Sequence, residues 1–346
     1  LPEGPRLSVV HVAVDAHNLA RDDRGIGRYA RAVLTRAMRD DRFRWTFVVR
    51  DLFPKRAAVA QALGADAVEV SRHVPRDADV MWFPWNGTFL RTDVPSVATV
   101  HDAAPFAFPS DDPRKRAIEQ NPFLATANTA RRILVQSRFT ADEVEHRLGV
   151  APERIVVTPL AVDDVFAPGA TDALPAELRG RRYVLHVGAH DERKNTTTLI
   201  AAFARAFPAG DVALAFTRRP PSLPAGGVTI DAPDDATLAA LYRGAALVAL
   251  PSTYEGFGFP LLEAMACGAP VLAARAGALP EVGGDAAEWV DDAHDVEAWA
   301  DALRALLADD AARAALAARG PARAATFSWE RCTAQTLAVL AEVATL

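Results

Sequence analysis

Among its 346 residues the chain holds two cysteines, three lysines and three methionines. Cys267 and Cys332 stand far apart, outside any C-x-x-C or histidine-rich cluster, which excludes a disulfide framework and a cysteine-based zinc site. A reducing compartment follows. No run of about 18 apolar residues is present, and the opening Leu1-Pro2-Glu3-Gly4-Pro5 has neither a charged n-region nor an apolar h-region. The expected location is cytoplasmic, with the inner face of the membrane as a place of peripheral contact through the N-terminal domain. An excess of positive charge is also missing. The net charge of −6 and the pI near 5.8 argue against a nucleic-acid partner, whose footprint would be basic. That charge is uneven. Residues 1–165 carry 23 basic and 22 acidic side chains, whereas residues 166–346 carry 15 and 22, so the N-terminal half is the face suited to an anionic acceptor or a lipid headgroup.

The length suits two domains of ordinary size, and half of the residues are apolar. Short β-branched runs alternate with helical stretches, the pattern of α/β layers with parallel sheets. In the first half the pattern predicts strands over Ser8-Val14, Trp45-Val49, Ala67-Val70, Val80-Phe83, Ser96-Val100, Ile133-Gln136 and Ile155-Val157. In the second half it predicts Tyr183-Val187, Val212-Phe216, Val228-Ile230, Ala246-Leu250, Val271-Ala274 and Glu288-Val290. Between the first two strands, Ile26, Tyr29, Ala30, Val33, Leu34, Ala37 and Met38 recur at helical spacing and predict one buried stripe. The proline- and glycine-punctuated stretch from Thr158 to Arg182 reads as the crossing between domains.

Chemistry concentrates in the second half. Glu255 and Glu263, separated by seven residues, lie in the run Tyr254-Glu255-Gly256-Phe257-Gly258-Phe259-Pro260-Leu261-Leu262-Glu263. Gly256, Gly258 and Pro260 interrupt it, which puts Glu255 in a loop, Pro260 at the first helical position and Glu263 in the first turn. Backbone N–H groups of such a loop and helix start favour an anion, and a pyrophosphate fits. Two carboxylates would repel it, so each glutamate is suited to accept hydrogen bonds from sugar hydroxyls. Cationic help is offered by Arg193 and Lys194, in the turn after the strand Tyr183-Val187. In a chain with thirty-five arginines, a lysine there is notable for its compact charge. Gly25-Ile26-Gly27 follows the first strand, but a third glycine and an acidic end to the second strand are lacking, which speaks against a dinucleotide fingerprint. His101-Asp102 follows Ser96-Val100 directly and emerges at the C-terminal edge of the sheet. Asp77-Ala78-Asp79 matches a D-x-D metal pattern, yet it immediately precedes Val80 and reads better as the capping of a strand start. The clusters Arg114-Lys115-Arg116 and Arg131-Arg132 read first as solvated faces, and second as a contact for a lipid phosphate or polyanionic acceptor.

The string Leu250-Pro251-Ser252-Thr253-Tyr254-Glu255-Gly256-Phe257-Gly258-Phe259-Pro260-Leu261-Leu262-Glu263-Ala264-Met265-Ala266-Cys267-Gly268 resembles the signature of retaining GT-B glycosyltransferases of the family 4 type. Further matches run in the family's order: Arg24-Gly25-Ile26-Gly27-Arg28-Tyr29, Val100-His101-Asp102, Val135-Gln136-Ser137-Arg138-Phe139-Thr140, Val157-Thr158-Pro159-Leu160-Ala161-Val162-Asp163, Arg193-Lys194-Asn195 and Phe327-Ser328-Trp329-Glu330. The resemblance implies two Rossmann-like domains facing each other across a cleft. It implies an N-terminal acceptor-side domain of residues 1–165 with 328–346, whose last helix, capped by Ser328 and stapled by Phe327 against Cys332, packs back, and a donor-binding domain of residues 166–327. It places Glu255 and His101 at the reacting centre. Gly25, Gly27, Arg193, Lys194, Gly256, Phe257, Gly258, Phe259 and Glu263 then hold a nucleotide-sugar donor. No metal or other cofactor is required, since Arg193 and Lys194 balance the diphosphate.

The partners implied are that donor and a saccharide or lipid-linked acceptor. Val100-His101-Asp102 with Pro105 and Pro109, and the segment from Thr158 to Asp163, resemble the bacterial polysaccharide mannosyltransferases of the group, which favours mannose from GDP-mannose. Two departures stand out. Phe216-Thr217-Arg218-Arg219-Pro220-Pro221 replaces a glycine-rich turn near the nucleobase, and Ala189 stands where some relatives have arginine. Competing readings are a UDP-sugar-dependent transferase, a two-domain NDP-sugar epimerase, a nicotinamide dehydrogenase and a non-catalytic sugar-nucleotide binder. Fold alone does not separate them.

Overall fold

The computed structural model describes residues 9–22, 25–51 and 56–346. The opening five residues, Ser8, Arg24 and Lys55 lie outside the described residues. The chain forms two compact units, one of the residues up to Leu160 together with Ser328–Leu346, the other of Ala161–Phe327.

The first unit is built on β1 (Val10–Asp15), β2 (Phe43–Val48), β3 (Glu69–Ser71), β4 (Val80–Asn86), β5 (Ser96–Val100), β6 (Arg132–Val135) and β7 (Ile155–Val157). They form one sheet in the order β3-β2-β1-β4-β5-β6-β7, parallel throughout. In its register, Val12 faces Trp45 on β2 and Val80 on β4. A parallel sheet covered on both faces needs near-continuous apolar strands, and Met81, Trp82, Phe83, Val97, Ala98 and Val100 are fully buried accordingly. The helix Gly25–Ala37 buries Tyr29, Ala30, Val33, Leu34 and Ala37 as the periodicity predicts, while Ile26 and Met38 at its ends are half-buried. The final helix, Trp329–Ala344, lies against it. Ser328 caps that helix by accepting from the Arg331 amide, and Glu330 accepts from Arg36 Nε at 2.9 Å.

The second unit repeats the plan with β8 (Tyr183–His186), β9 (Ala213–Phe216), β10 (Gly227–Thr229), β11 (Leu247–Leu250), β12 (Val271–Ala274) and β13 (Glu288–Val290). Their order is β10-β9-β8-β11-β12-β13, again all parallel. Helices Thr196–Ala206 and Val296–Ala308 close one face through Leu199, Phe203, Trp299 and Leu303. Each sheet reverses its strand order once, between β1 and β4 in one unit and between β8 and β11 in the other. In such sheets the crevice beyond the carboxyl strand ends at this switch point is where ligands bind.

Several local expectations need correction. The stretch after Leu160 is a docked part of the second unit. Arg243 donates to the carbonyls of Val165 and Ala167 at 2.8 and 2.7 Å, and Leu178 is fully buried. The guanidinium's several donors stitch down a segment with little secondary structure of its own. Gly25 and Gly27 are the opening residues of a helix and not loop residues. Gly27 is required by packing, since a Cβ there would come 1.7 Å from the Asp22 carbonyl oxygen. The helix after Gly258 starts at Phe259, so Pro260 is its second residue and Glu263 lies beyond the first turn. Phe327 meets the Phe257 ring and the Arg323 guanidinium, and Cys332 donates weakly to the Thr158 carbonyl at 3.8 Å. Among the described residues no helix is long and apolar enough to cross a membrane.

Candidate active site

In the second unit the switch point is lined by the turn after β8 and the loop after β11. The first turn contains Gly188 at φ 139°, the short 3-10 turn Glu192–Lys194 and Asn195 in the left-handed region at φ 50°. Asp191 caps the turn by accepting from the Lys194 amide. Asn195 locks it to the body of the unit, donating to the carbonyls of Pro251 and Ala293 at 3.2 and 2.6 Å and accepting from Thr198 Oγ1 at 2.7 Å. The two loops are tied directly, since the Arg193 carbonyl accepts from the Thr253 amide at 2.8 Å.

That frame brings Lys194 Nζ to 2.5 Å from Glu255 Oε1, with both side chains only 11 % exposed. Burial alone would raise the Glu255 pKa. The Lys194 ammonium, with help from Arg193 and a Ser252 hydrogen bond, outweighs it and holds the carboxyl below the ordinary glutamate value. Glu255 is therefore an anion and Lys194 its cation. Arg193 is more open, and its Nε donates to Asp191 at 3.2 Å. Glu263 is buried in its helix, where Oε2 accepts from the Tyr242 hydroxyl at 2.9 Å.

The intervening residues divide their work. Gly258 takes φ 98° and a Cβ on it would strike Leu279, so only glycine turns the chain into the helix there. Gly256 is buried beside Glu255. The Phe257 ring is buried against Phe259 and Phe327, so its side chain shapes the loop from behind. Phe259 is half-buried at the helix start.

Beneath this site His186 is fully buried, and burial first, then the nearby Lys194 and His190, push its pKa down to about 4. The neutral ring donates from Nδ1 to the Ala249 carbonyl at 3.1 Å and meets Thr196 Oγ1 through Nε2 at 3.2 Å. His190 continues the chain from Thr196 to the Arg218 carbonyl, which anchors the unusual arginine-proline turn after β9.

In the first unit β4 and β5 lose register between Phe83 and Asn86, around Pro84, which has no N–H to give to a ladder. The freed Pro84 carbonyl accepts from His101 Nε2 at 2.9 Å, and the Asn86 side chain holds both the His101 amide, at 2.8 Å, and Asp102 Oδ1, at 3.2 Å. The ring of Tyr29 packs edge-on to that of His101. Burial lowers the His101 pKa more than the Pro84 bond raises it. The imidazole is neutral, with its proton on Nε2. Asp77 and Asp79 are spent on structure: Asp79 exchanges backbone and carboxylate bonds with the His11 backbone, and Asp77 accepts from Arg44. Among the described residues no group of histidine, cysteine and carboxylate side chains is arranged to hold a metal ion.

Two family models match the chain, Glycosyltransferase Family 4 over residues 9–166 and Glycosyl transferases group 1 over residues 230–323. The chain belongs to the GT-B glycosyltransferases of the family 4 type. It is 33 % identical over 196 residues to O-antigen chain mannosyltransferase B of Escherichia coli, covering 50 % of this chain and 51 % of that one. It is 32 % identical over 254 residues to the D-inositol 3-phosphate glycosyltransferase of Salinispora tropica, covering 61 % and 52 %. The chain thus spans about half the length of these curated relatives. Its fold matches Anabaena HepE in complex with UDP and glucose with a TM-score of 0.70, at 16 % identity over 96 % of this chain and 99 % of that one.

Sequence reasoning missed three features of this GT-B glycosyltransferase. Gly277, at φ 58°, lets the segment after β12 run against the Glu255 backbone, and a Cβ there would come 2.7 Å from the Glu255 nitrogen. Tyr242 is the partner of Glu263, from a helix 21 residues earlier. At the C-terminal end of β1, buried Asp15 accepts from His17 Nδ1 at 2.8 Å, and the His17 ring meets Trp85 edge-on and Phe89 at a tilt. The alternation Asp15-Ala16-His17 was visible in the sequence. Its position at a switch point was not, because that depends on strand order. Cys267 and Cys332 are free and buried, and burial pushes both thiols up to about 12, so neither is a nucleophile.

Proposed function

We propose that the protein is a retaining, metal-independent hexosyltransferase that moves mannose from GDP-mannose to a hydroxyl acceptor in polysaccharide or glycolipid assembly. The observation that carries this reading is the buried Lys194–Glu255 pair at the β8–β11 switch point, with Arg193 beside it. Arg193 and Lys194 bear on the diphosphate as negative charge develops on it. Glu255 orients Lys194 in a buried setting and accepts from sugar hydroxyls. Glu263, held by Tyr242, accepts from the ribose. His101 is the neutral group that the first unit offers to the sugar, steadied by Pro84 and Asn86.

The anomeric carbon–phosphate bond breaks and the acceptor oxygen bonds to the same face. The acceptor's proton passes to the departing phosphate oxygen, so neither a protein nucleophile nor a metal enters the balance. The mannosyltransferase relative supports the donor sugar. A second acceptor reading, a phosphorylated cyclitol, is favoured by the five matching relatives named D-inositol 3-phosphate glycosyltransferase, at 30 to 34 % identity.

The experiment is incubation with GDP-mannose and with UDP-glucose, each with acceptor and chelator, followed by NMR of the product's one-bond C1–H1 coupling, which separates α- from β-mannosides where the H1–H2 coupling does not. An α-mannoside made in chelator supports the reading. An inverted product, or sugar epimerised or released without acceptor, refutes it. A product made only from UDP-glucose keeps the class and replaces the donor.

A further inference from the structure

The end of β1 carries a pair of side chains to which the donor chemistry gives no task. Asp15 closes that strand and is 2 % exposed. Its Oδ1 accepts from the His17 backbone N–H at 3.2 Å and from His17 Nδ1 at 2.8 Å. Its Oδ2 is buried with no hydrogen-bond partner among the described residues. A buried carboxylate oxygen without a donor costs the fold free energy, so packing does not account for the pair. What Asp15 does is fix the ring of His17. A carboxylate only accepts, so Nδ1 carries a proton, and in the neutral imidazole Nε2 is then left as an acceptor. Nε2 has no partner among the described residues, and the His17 side chain is 32 % exposed.

Two aromatic rings frame that acceptor. Trp85 meets the His17 ring edge-on, with centroids 5.5 Å apart, while its Nε1 donates to the Asp15 carbonyl at 2.8 Å. Phe89 meets the same ring at 5.1 Å and is itself 44 % exposed. Trp85 lies inside the break of register between β4 and β5, next to Pro84 and Asn86, which hold His101. One irregular stretch of one strand thus positions both histidines, at the carboxyl ends where the sheet reverses its strand order. An oriented acceptor beside an exposed aromatic face suits a ring that bears several hydroxyls. Its rim supplies O–H donors, and its C–H groups lie against the negative face of Phe89. An anion placed at the pair would meet the Asp15 carboxylate and be repelled, so any charged substituent of the ligand points away from it.

We propose that Asp15 and His17 form the hydroxyl-recognition site for the acceptor: His17 Nε2 accepts from a non-reacting hydroxyl of a saccharide or cyclitol ring that lies on Phe89, and Asp15 is the positioning residue that keeps the proton on Nδ1. Calling that ring the acceptor rests on the sugar-transfer reading, and the proton balance of the transfer is unchanged, since the reacting hydroxyl still gives its proton to the departing phosphate oxygen.

The test is ligand-observed NMR titration of the full chain, without donor, using methyl α-mannoside and D-inositol 3-phosphate as probes. Wild type is compared with His17→Phe, which keeps an aromatic ring beside Trp85 and Phe89 but has no acceptor, and with Asp15→Asn, whose amide can donate to Nδ1 and so move the proton to Nε2. Phe89→Ser, at an exposed side chain, tests the stacking face with little risk to the fold. The first two variants should bind the probe about tenfold more weakly, the loss of one hydrogen bond, and Phe89→Ser severalfold more weakly, while calorimetric GDP affinity stays within about twofold in all. Binding of the mannoside alone assigns the site to a saccharide, and of the inositol phosphate alone to a cyclitol. No binding of either probe, equal affinity across the four proteins, or a parallel loss of GDP affinity that marks the pair as structural overturns the proposal. Probe binding that depends on His17 in a protein that transfers no sugar from GDP-mannose or UDP-glucose refutes the transferase reading and keeps the hydroxyl site.

Discussion

Lys194 and Glu255, 61 residues apart in the chain, form one buried ion pair at 2.5 Å, and each requires the other. The sequence alone suggests that removing Arg193 and Lys194 leaves the fold intact. Burial changes that expectation for Lys194, since its loss strands a carboxylate out of water. Lys194→Ala should cost about 3–5 kcal/mol of stability, whereas Arg193→Ala, at a more open side chain, should leave stability within about 0.5 kcal/mol. Both should lower turnover by orders of magnitude. Thermal melts separate the two effects, and equal stability of the two variants would contradict the burial argument.

The pair also has a pH signature. Because Glu255 ionises below the ordinary glutamate range when folded, the native state holds fewer protons than the unfolded chain there. Its stabilisation is complete above the unfolded value and is lost as pH falls through the lower folded value. His186 acts in the same direction at higher pH. Buried and neutral with a pKa near 4, it withholds stability as the medium acidifies from about 6.5 toward 4, a loss of about 3 kcal/mol at the lower end. Denaturant titrations across this range should show the slope in wild type and a shallower one in His186→Gln.

Tyr242→Phe removes the hydroxyl that donates to Glu263 while leaving the ring in place. A buried carboxylate oxygen then loses a partner at 2.9 Å, which should cost about 1–3 kcal/mol of stability. If Glu263 accepts from the ribose, KM for the donor should rise about tenfold with a smaller change in kcat. Steady-state kinetics check this, and a kcat loss with unchanged KM would place Glu263 elsewhere in the reaction.

Gly277→Ala places a methyl group against the Glu255 backbone at a left-handed φ. The strain of that backbone region is about 1–2 kcal/mol before any clash. Nucleotide affinity should fall with stability, read by calorimetry and melting. Gly64→Ala, at φ 61° with open space around its Cβ, supplies the control for strain without the clash.

Features set by neighbouring residues were legible in the sequence, and features set by distant contacts were not. All thirteen strands among the described residues were legible, because β-branched runs bounded by glycine and proline report local geometry, and observed ends shift by at most three residues, the largest shift at the irregular end of β4. The helical stripe through Tyr29 and Leu34 was legible for the same reason. What escaped depends on contacts distant in the chain: Arg243 pinning the segment after Leu160, Gly277 against Glu255, and Tyr242 on Glu263. Arg193, Lys194 and Glu255 could be named from their residue types, and the structure brings them to one strand-end crevice.

A metal-free diphosphate clamp that prefers a guanine nucleotide is open to calorimetric titration of GDP and of UDP, each with chelator. GDP should bind wild type in chelator more tightly than UDP does, and about 100-fold more weakly in the Arg193→Ala variant. Binding of neither nucleotide, or binding unaffected by Arg193→Ala, would contradict it.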